Sequence, residues 1–476
     1  MRGLLLKHEW RSLWADGSVW LTVGVFALAI GYGAASGSGW VASQRTAIDL
    51  ARNEERERHQ RHTAEIARIN REHATVSAFA DPRNPDAAGR SMSARYAVLP
   101  PMPLAALSVG QSDLSPSFLK ITTDAKETVL AATAIENPHR ILAGRFDPAF
   151  VLVYLYPLLI LGMTYNLLSS EKEQGTLLLA LSQPVSLPAL LGGKLLLRLL
   201  VCAAAVIVFA VILLSAAGVD LTATGASALF VLWVLAAVLY GAFWFCTAAW
   251  IASLGRASAV NATMLAGIWF GLVVLVPFVI STAVTAVYPV PSRVEMVQAA
   301  RVASDDANAE GSALLARYYE DHPELASGDA EQAMNDFNLV RVAVAAEVEQ
   351  RVRPVRDRFD DQLAAQQRIV DRFRYLSPAI LMQDALNDIA GTGTARYRNF
   401  LGQVGIFHEE WRQYFVRLIF AKAQLDSYES VPRFVLREES LPTTARRVAV
   451  SLAGLALPAV AFAVFAVRRL RRYPIV

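Results

Sequence analysis

The sequence predicts an all-α polytopic membrane protein: six transmembrane helices with a mostly helical extracytoplasmic domain built from two insertions. Three observations carry this reading. Apolar runs of roughly 20 residues, long enough to cross the hydrocarbon core of a bilayer, recur along the chain. The two longest gaps between them, 38–147 and 289–445, are charged, while the other gaps are short. With 54% hydrophobic residues, 18% charged residues and a mean hydropathy of +0.35, the chain is too apolar for a soluble globule and too charged for one wholly in lipid. A net charge of +3 makes no case for nucleic acid as a partner.

In chain order, residues 1–17 form an amphipathic helix. Leu6, Trp10, Leu13 and Trp14 recur at helical spacing, with Lys7, Arg11 and Ser12 opposite, which suits a helix lying in the lipid interface. No small-residue cleavage site follows, so no cleavable signal is read. The first span is 18–37. Its Gly33 and Gly37 make a small-xxx-small pattern, read either as a packing face or as a bend at the span end.

The first insertion, 38–147, begins with a stretch from Trp40 to Ala80 that lacks Gly and Pro and alternates charge sign, a helix continuing out of the span. Ala51, Ile66 and Ile69 give it a thin apolar stripe. His59, His62 and His73 are read as solvated residues rather than a metal site, and no metal is expected. Residues 81–116 read as a turn-rich crossing. Ser117 and Lys120 match the S-x-x-K of some acylating enzymes but lack the companion motifs.

The remaining spans are 148–168, 189–217, 225–253, 258–288 and 446–467, followed by a basic tail, 468–476. The second insertion, 289–445, carries a long helix near 329–375 with apolar Leu339, Val342, Val344, Val348 and Val352 and a kink expected at Pro354. Another helix is read near 404–430. Neither insertion holds enough apolar residues for its own core, so the two are expected to pack together. Cys202 and Cys246 both lie in apolar runs, and no disulfide framework is readable.

Basic residues near the span ends set the orientation: Arg2, Lys7 and Arg11, then Lys172 and Lys194, then Arg256, then Arg468, Arg469, Arg471 and Arg472. An even number of spans puts all four groups on one side, the cytoplasmic one, with both termini there and both insertions outside.

The span interiors hold almost no ionisable residue; Arg198 and Asn261 lie near inner ends. A carrier coupled to protons or ions is therefore not indicated. No Walker motif occurs: "GGKL" at 192–195 and "GTGTAR" at 391–396 lack the required spacing. Energy for transport would have to come from another chain.

Residues 169–188 are the sharpest feature. Glu171 and Glu173 stand where a helix N-terminus favours carboxylates. Leu177, Leu178 and Leu181 form an apolar face, Pro184 stops the helix, and Pro188 suits the first turn of the next. A half-apolar helix in water needs a partner. The set Glu171, Glu173, Gly175, Thr176, Leu177, Leu181, Pro184, Val185, Gly193 and Lys194 resembles the cytoplasmic coupling helix of ABC-2-type export permeases. The resemblance extends to Asn137, Pro138, Gly144, Phe146 and Asp147, to "PPMPLAALSVGQSDLSP" at 100–116, and to Ser377, Pro378, Ala390, Gly391, Thr392, Arg396 and Phe400. These stretches look like a subfamily with large outside segments, a domain of unknown function, in which an acidic residue would stand where this chain has Gly393.

The resemblance implies a non-enzymatic permease subunit that binds no cofactor itself. ATP and magnesium would sit on two copies of a partner ATPase, and a second permease, identical or related, would complete the pathway. It also implies a bacterial inner membrane, contact with lipid, a possible periplasmic partner, and export or extraction of a hydrophobic or amphipathic substrate. The alternative is a membrane-anchored scaffold that transmits force to an outside partner without moving cargo.

Overall fold

The computed structural model describes residues 10, 11, 14, 17–73, 76–77, 80–110, 112, 115–124, 146–182, 186–219, 222, 225–289, 293–321 and 337–473. The expected site residues Asn137, Pro138, Gly144, Pro184 and Val185 lie outside these. Of the amphipathic N-terminal stretch only Trp10, Arg11, Trp14 and Gly17 are described, and both tryptophans are exposed.

Among the described residues six helices are long and apolar enough to cross a membrane: Trp20–Glu72, Pro148–Glu173, Leu187–Ala216, Ala226–Ala252, Ser258–Val287 and Leu441–Leu470. They are called the first to sixth spans below, the second being counted only as far as the short helix Ser169–Glu173. The first is one uninterrupted helix, Gly17–Glu72, whose polar half runs far beyond the apolar part. Ala51, Ile66 and Ile69 are buried along it, as the thin stripe predicts.

The second and fifth spans share a device. Each contains a π-helical turn, Val151–Leu155 and Phe270–Leu275, just before a proline, Pro157 and Pro277. Proline has no N–H, so carbonyls one turn back lose their helical partner. Side chains from elsewhere supply it. The Tyr240 hydroxyl donates to the Val153 carbonyl at 2.8 Å, and the Ser377 hydroxyl donates to the Leu272 carbonyl at 2.7 Å.

The second bond fixes an element that the sequence reading had counted within the 289–445 insertion. Ser377 caps a 13-residue helix, Pro378–Ala390, by accepting from the Ile380 N–H. Its Leu381, Met382, Ala385, Leu386 and Ile389 are buried in the same apolar cluster as the second, fourth and sixth spans. A run this short falls below the span threshold, and charged neighbours disguise it further.

The insertions do share a core. Ile66, Ala97, Leu119 and Ile121 of the first pack with Phe400, Phe407, Trp411 and Phe415 of the second. The turn-rich crossing carries short helical turns, Pro85–Ala87, Ala88–Met92 and Ala105–Leu107, and its strand β1 (Arg95–Val98) forms an antiparallel ribbon with β2 (Phe118–Ile121) just beyond it, with Ala97 opposite Leu119. This small sheet was not foreseen. It leaves Lys120 exposed opposite Tyr96, and gives Ser117 and Lys120 no shared site. A second unforeseen element, the helical stretch Arg293–Asp321, kinked at Gly311, pairs with Phe337–Phe373 through Ala300, Ala303 and Ala307 against the expected Leu339, Val342, Val344, Val348 and Val352. Its alanine face has too little hydrophobic contrast to stand out in sequence. Pro354 lies within the continuous Phe337–Phe373 helix.

Candidate functional site

The segment between the second and third spans is two short helices, Ser169–Glu173 and Thr176–Leu181, rather than the single helix expected. Gly175 breaks them with φ +71°, the left-handed conformation that glycine adopts at little steric cost. The Thr176 hydroxyl donates back across the break to the Glu171 carbonyl at 3.2 Å.

The two carboxylates do not form an acidic tip. Glu171 pairs with Lys194 of the third span, whose side chain is only 7% exposed. Glu173 accepts from the Ser258 N–H at 2.7 Å and from its hydroxyl at 3.0 Å, so it caps the fifth span. The Ser169 hydroxyl also meets that of Ser258, at 2.8 Å. Sequence spacing offered no signal for this, because Ser258 is 85 residues from Glu173.

Leu177 is buried against Leu187, Leu191 and Leu470, and Leu181 packs at the edge of the same cluster. Leu178, expected on the same face, instead points away with Leu179; they are 61% and 71% exposed. Tyr473 closes this end of the bundle, with the Lys172 ammonium 5.8 Å from its ring centre.

At the opposite end, three stretches noted separately in the sequence converge. Asp147 accepts from the Val109 N–H and, as a helix cap, from the Phe150 N–H, both at 2.7 Å. Phe146 stacks between Tyr32 and Phe150, with ring centres 5.4 and 5.0 Å away. The Asn387 side-chain oxygen accepts from the Ser108 hydroxyl at 2.6 Å, and its carbonyl accepts from the Thr392 N–H at 2.9 Å. Pro378 occupies the first turn of the short buried helix, and Gly391 ends it at φ +68°. Arg396 ties the junction together, donating to the carbonyls of Gly391 and Pro100 at 3.1 and 2.8 Å and to Glu438 at 2.9 Å.

Gly33 and Gly37 belong to this junction and act as a packing face. A Cβ on Gly37 would lie 2.2 Å from the Ala106 carbonyl oxygen, and one on Gly33 2.9 Å from the Asp147 backbone. Gly393 lies here too: a Cβ there would sit 3.0 Å from an Asp388 carboxylate oxygen. An acidic residue at 393 would face Asp388 directly, which gives a physical reason for glycine at this position.

A family model described only as a domain of unknown function, DUF3526, matches residues 293–437. The matched segment carries the Arg293–Asp321 and Phe337–Phe373 pair, the short buried helix and the Gly391–Thr394 turn. No curated protein matches the chain.

Two cavities flank that turn, and Thr392, Gly393 and Thr394 line both. One, of about 910 Å³, has a mixed lining and holds Asp371, Arg374, Asp384 and Asp388 together with Arg398, Arg446 and Arg447 near Phe150 and Tyr154 of the second span. The other, of about 880 Å³, is more apolar and lies along Pro277, Ile280 and Val284 of the fifth span. The span interiors hold almost no ionisable residue; the matched segment brings these charges beside them. Burial pushes the Asp384 carboxyl up to about 6 against the pull of Arg374, and it raises that of Asp388 against Arg447.

The rings of His59 and His62 both pack on Tyr428, with centres 5.6 and 5.7 Å away. Among the described residues no group of three or more His, Cys, Asp and Glu side chains gathers as a metal site would require.

Proposed function

We propose that this chain is the permease subunit of an ATP-driven transporter of the ABC-2 class. Two such chains, identical or related, would work with two copies of a separate ATPase that holds ATP and magnesium. The observation that carries the proposal is the double attachment of the segment after the second span: Glu171 to Lys194, and Glu173 to Ser258. Force applied to Leu178 and Leu179, which project away from the bundle, reaches the third and fifth spans through these bonds. Loose surface loops lack such fastening. The two cavities at the far end support a moved cargo over a purely mechanical scaffold, and their mixed linings suit an amphipathic one. In this reading the chain sits in a bacterial inner membrane with both termini and the coupling segment in the cytoplasm. The insertions form the periplasmic domain.

The test is co-purification with the cognate ATPase, comparing wild type with the double substitution Leu178→Asp/Leu179→Asp. Both side chains are exposed, so the variant keeps its thermal stability. We expect it to lose at least tenfold in captured ATPase. An ATPase that never associates with wild type, or that is held equally by the variant, sinks the reading and favours the scaffold.

A further inference from the structure

The depth of the apolar cavity, of about 880 Å³, follows from the spans around it. The uncharged run 448–467 of the sixth span is bracketed by Arg447 and Arg468 and has the length that crosses the hydrocarbon core. Arg447 lies 3.4 Å from Asp388, so Asp388 and the Gly391–Thr394 turn mark one face of the bilayer. Ile380 lies about 12 Å back along the same helix, inside the hydrocarbon layer. Gly33 packs on Asp147, whose partner Val109 adjoins the Asn387-bound Ser108, so Gly33 stands at that same face. Trp40 is about 10 Å further out on the continuous first helix. Ile380 and Trp40 both line the cavity, which therefore crosses the membrane boundary.

The lining is mainly apolar on both sides of that boundary. Pro277, Ile280 and Val370 join Ile380, and Leu99 and Met102 join Trp40. The charged liners are engaged: Arg396 with Glu438 and two carbonyls, Arg398 with the Gln367 side-chain oxygen at 3.1 Å, and Asp360 with a partner of its own. Trp40, Leu99 and Val284 are buried, whereas Leu363 is 42% exposed and Ala364 and Ser281 are exposed too, so these three mark the mouth. Its volume falls in the range of small-molecule sites. An apolar space of this size gives water few hydrogen bonds and, left empty, forfeits dispersion contacts along its walls. The apolar material at hand at this depth is the lipid acyl chain. Walls that stay apolar beyond the boundary shield a chain drawn out of the bilayer.

We infer that this cavity receives an acyl chain of a membrane phospholipid, which enters past Ser281 and Ala364 and reaches the wall formed by Trp40 and Leu99, outside the hydrocarbon core. The assignment deepens the transporter reading by naming acyl lipid as the amphipathic class. It rests on that reading for the fate of the lipid; occupancy itself needs no ATPase.

The experiment uses the full chain, without ATPase, in nanodiscs of phosphatidylethanolamine and phosphatidylglycerol with a trace of phosphatidylglycerol that carries a diazirine in its acyl chain. Irradiation followed by peptide mass spectrometry locates the adducts. Leu457 and Val460, exposed on the sixth span, report the surrounding bilayer and should be labelled in every sample. Trp40 and Leu99, buried and beyond the hydrocarbon core, should be labelled only through the cavity. Ala364→Trp and Ser281→Trp each put an indole in the mouth from an exposed position, and each should cut the Trp40 and Leu99 adducts at least fivefold without changing those at Leu457 and Val460. Phe278→Trp, on the same span but outside the lining, should leave all adducts intact. If one mouth variant folds poorly, seen as lost labelling at Leu457 and Val460, the other decides. Trp40 and Leu99 unlabelled in wild type while Leu457 and Val460 are labelled, or labelled equally when the mouth is filled, overturns the inference. None of these outcomes depends on ATPase capture, so either conclusion can fail alone.

Discussion

Glu173 holds both the main-chain N–H and the hydroxyl of Ser258, at 2.7 and 3.0 Å, so a residue after the second span forms the N-terminal cap of the fifth. Caps of this kind contribute about 0.5–2 kcal/mol. In a two-part machine such a bond also transmits displacement.

A double-substitution cycle measures that link. Glu173→Ala and Ser258→Ala should each lower unfolding stability by about 1 kcal/mol. The double variant should be little worse than either alone, leaving a coupling term of about 0.5–2 kcal/mol. Strict additivity in denaturant titrations would show that the two groups act independently.

The proline-freed carbonyls predict a second pair of effects. Tyr240→Phe and Ser377→Ala each strand a buried carbonyl, that of Val153 or Leu272, and should destabilise the fold by about 1–3 kcal/mol. Ser377→Ala should also speed amide exchange in the first turn of the short buried helix, whose Ile380 N–H it caps. Tyr240→Phe should leave that turn unchanged. Hydrogen exchange with mass spectrometry reads both.

Gly37 and Gly31 offer a matched comparison on one helix. Alanine at Gly37 would drive its Cβ to 2.2 Å from the Ala106 carbonyl oxygen, whereas Gly31 has nothing within 4 Å. Gly37→Ala should shift the backbone at the junction and cost about 1–3 kcal/mol. Gly31→Ala should be neutral or slightly stabilising, because alanine favours the helix. Equal melting temperatures for the two variants would contradict the observed contact.

The raised Asp384 carboxyl makes a signed prediction. Its folded value, about 6, lies above the ordinary 3.8, so the folded state binds the proton more tightly than the unfolded chain. The stabilisation is fully present below about 4 and is lost as pH rises through 6. The groups facing it are Arg374, which opposes the shift, and Asp388 and Asp371, which add to it. Asp384→Asn should raise the melting temperature at pH 8 relative to wild type and lose that advantage by pH 4. The difference between the two melting curves across pH isolates this group from the other carboxylates.

The sequence by itself determined the six apolar spans, the continuous charged helix leaving the first, and the dependence of each insertion on the other, since these follow from run length and periodicity. It also marked the stretches that matter: 169–188, 100–116, Asp147 and the Ser377–Thr392 region. Tertiary structure alone decided what those residues touch. Local spacing placed Glu171 and Glu173 together at the start of a helix; folding gave each its own partner, Lys194 and Ser258, which are distant along the chain. The short buried helix stayed hidden because 13 residues cannot span a bilayer alone, and its membership of the core depends on a carbonyl that Pro277 leaves open. Periodicity records which face of an element is apolar. Which distant group meets that face is settled only when the chain closes on itself.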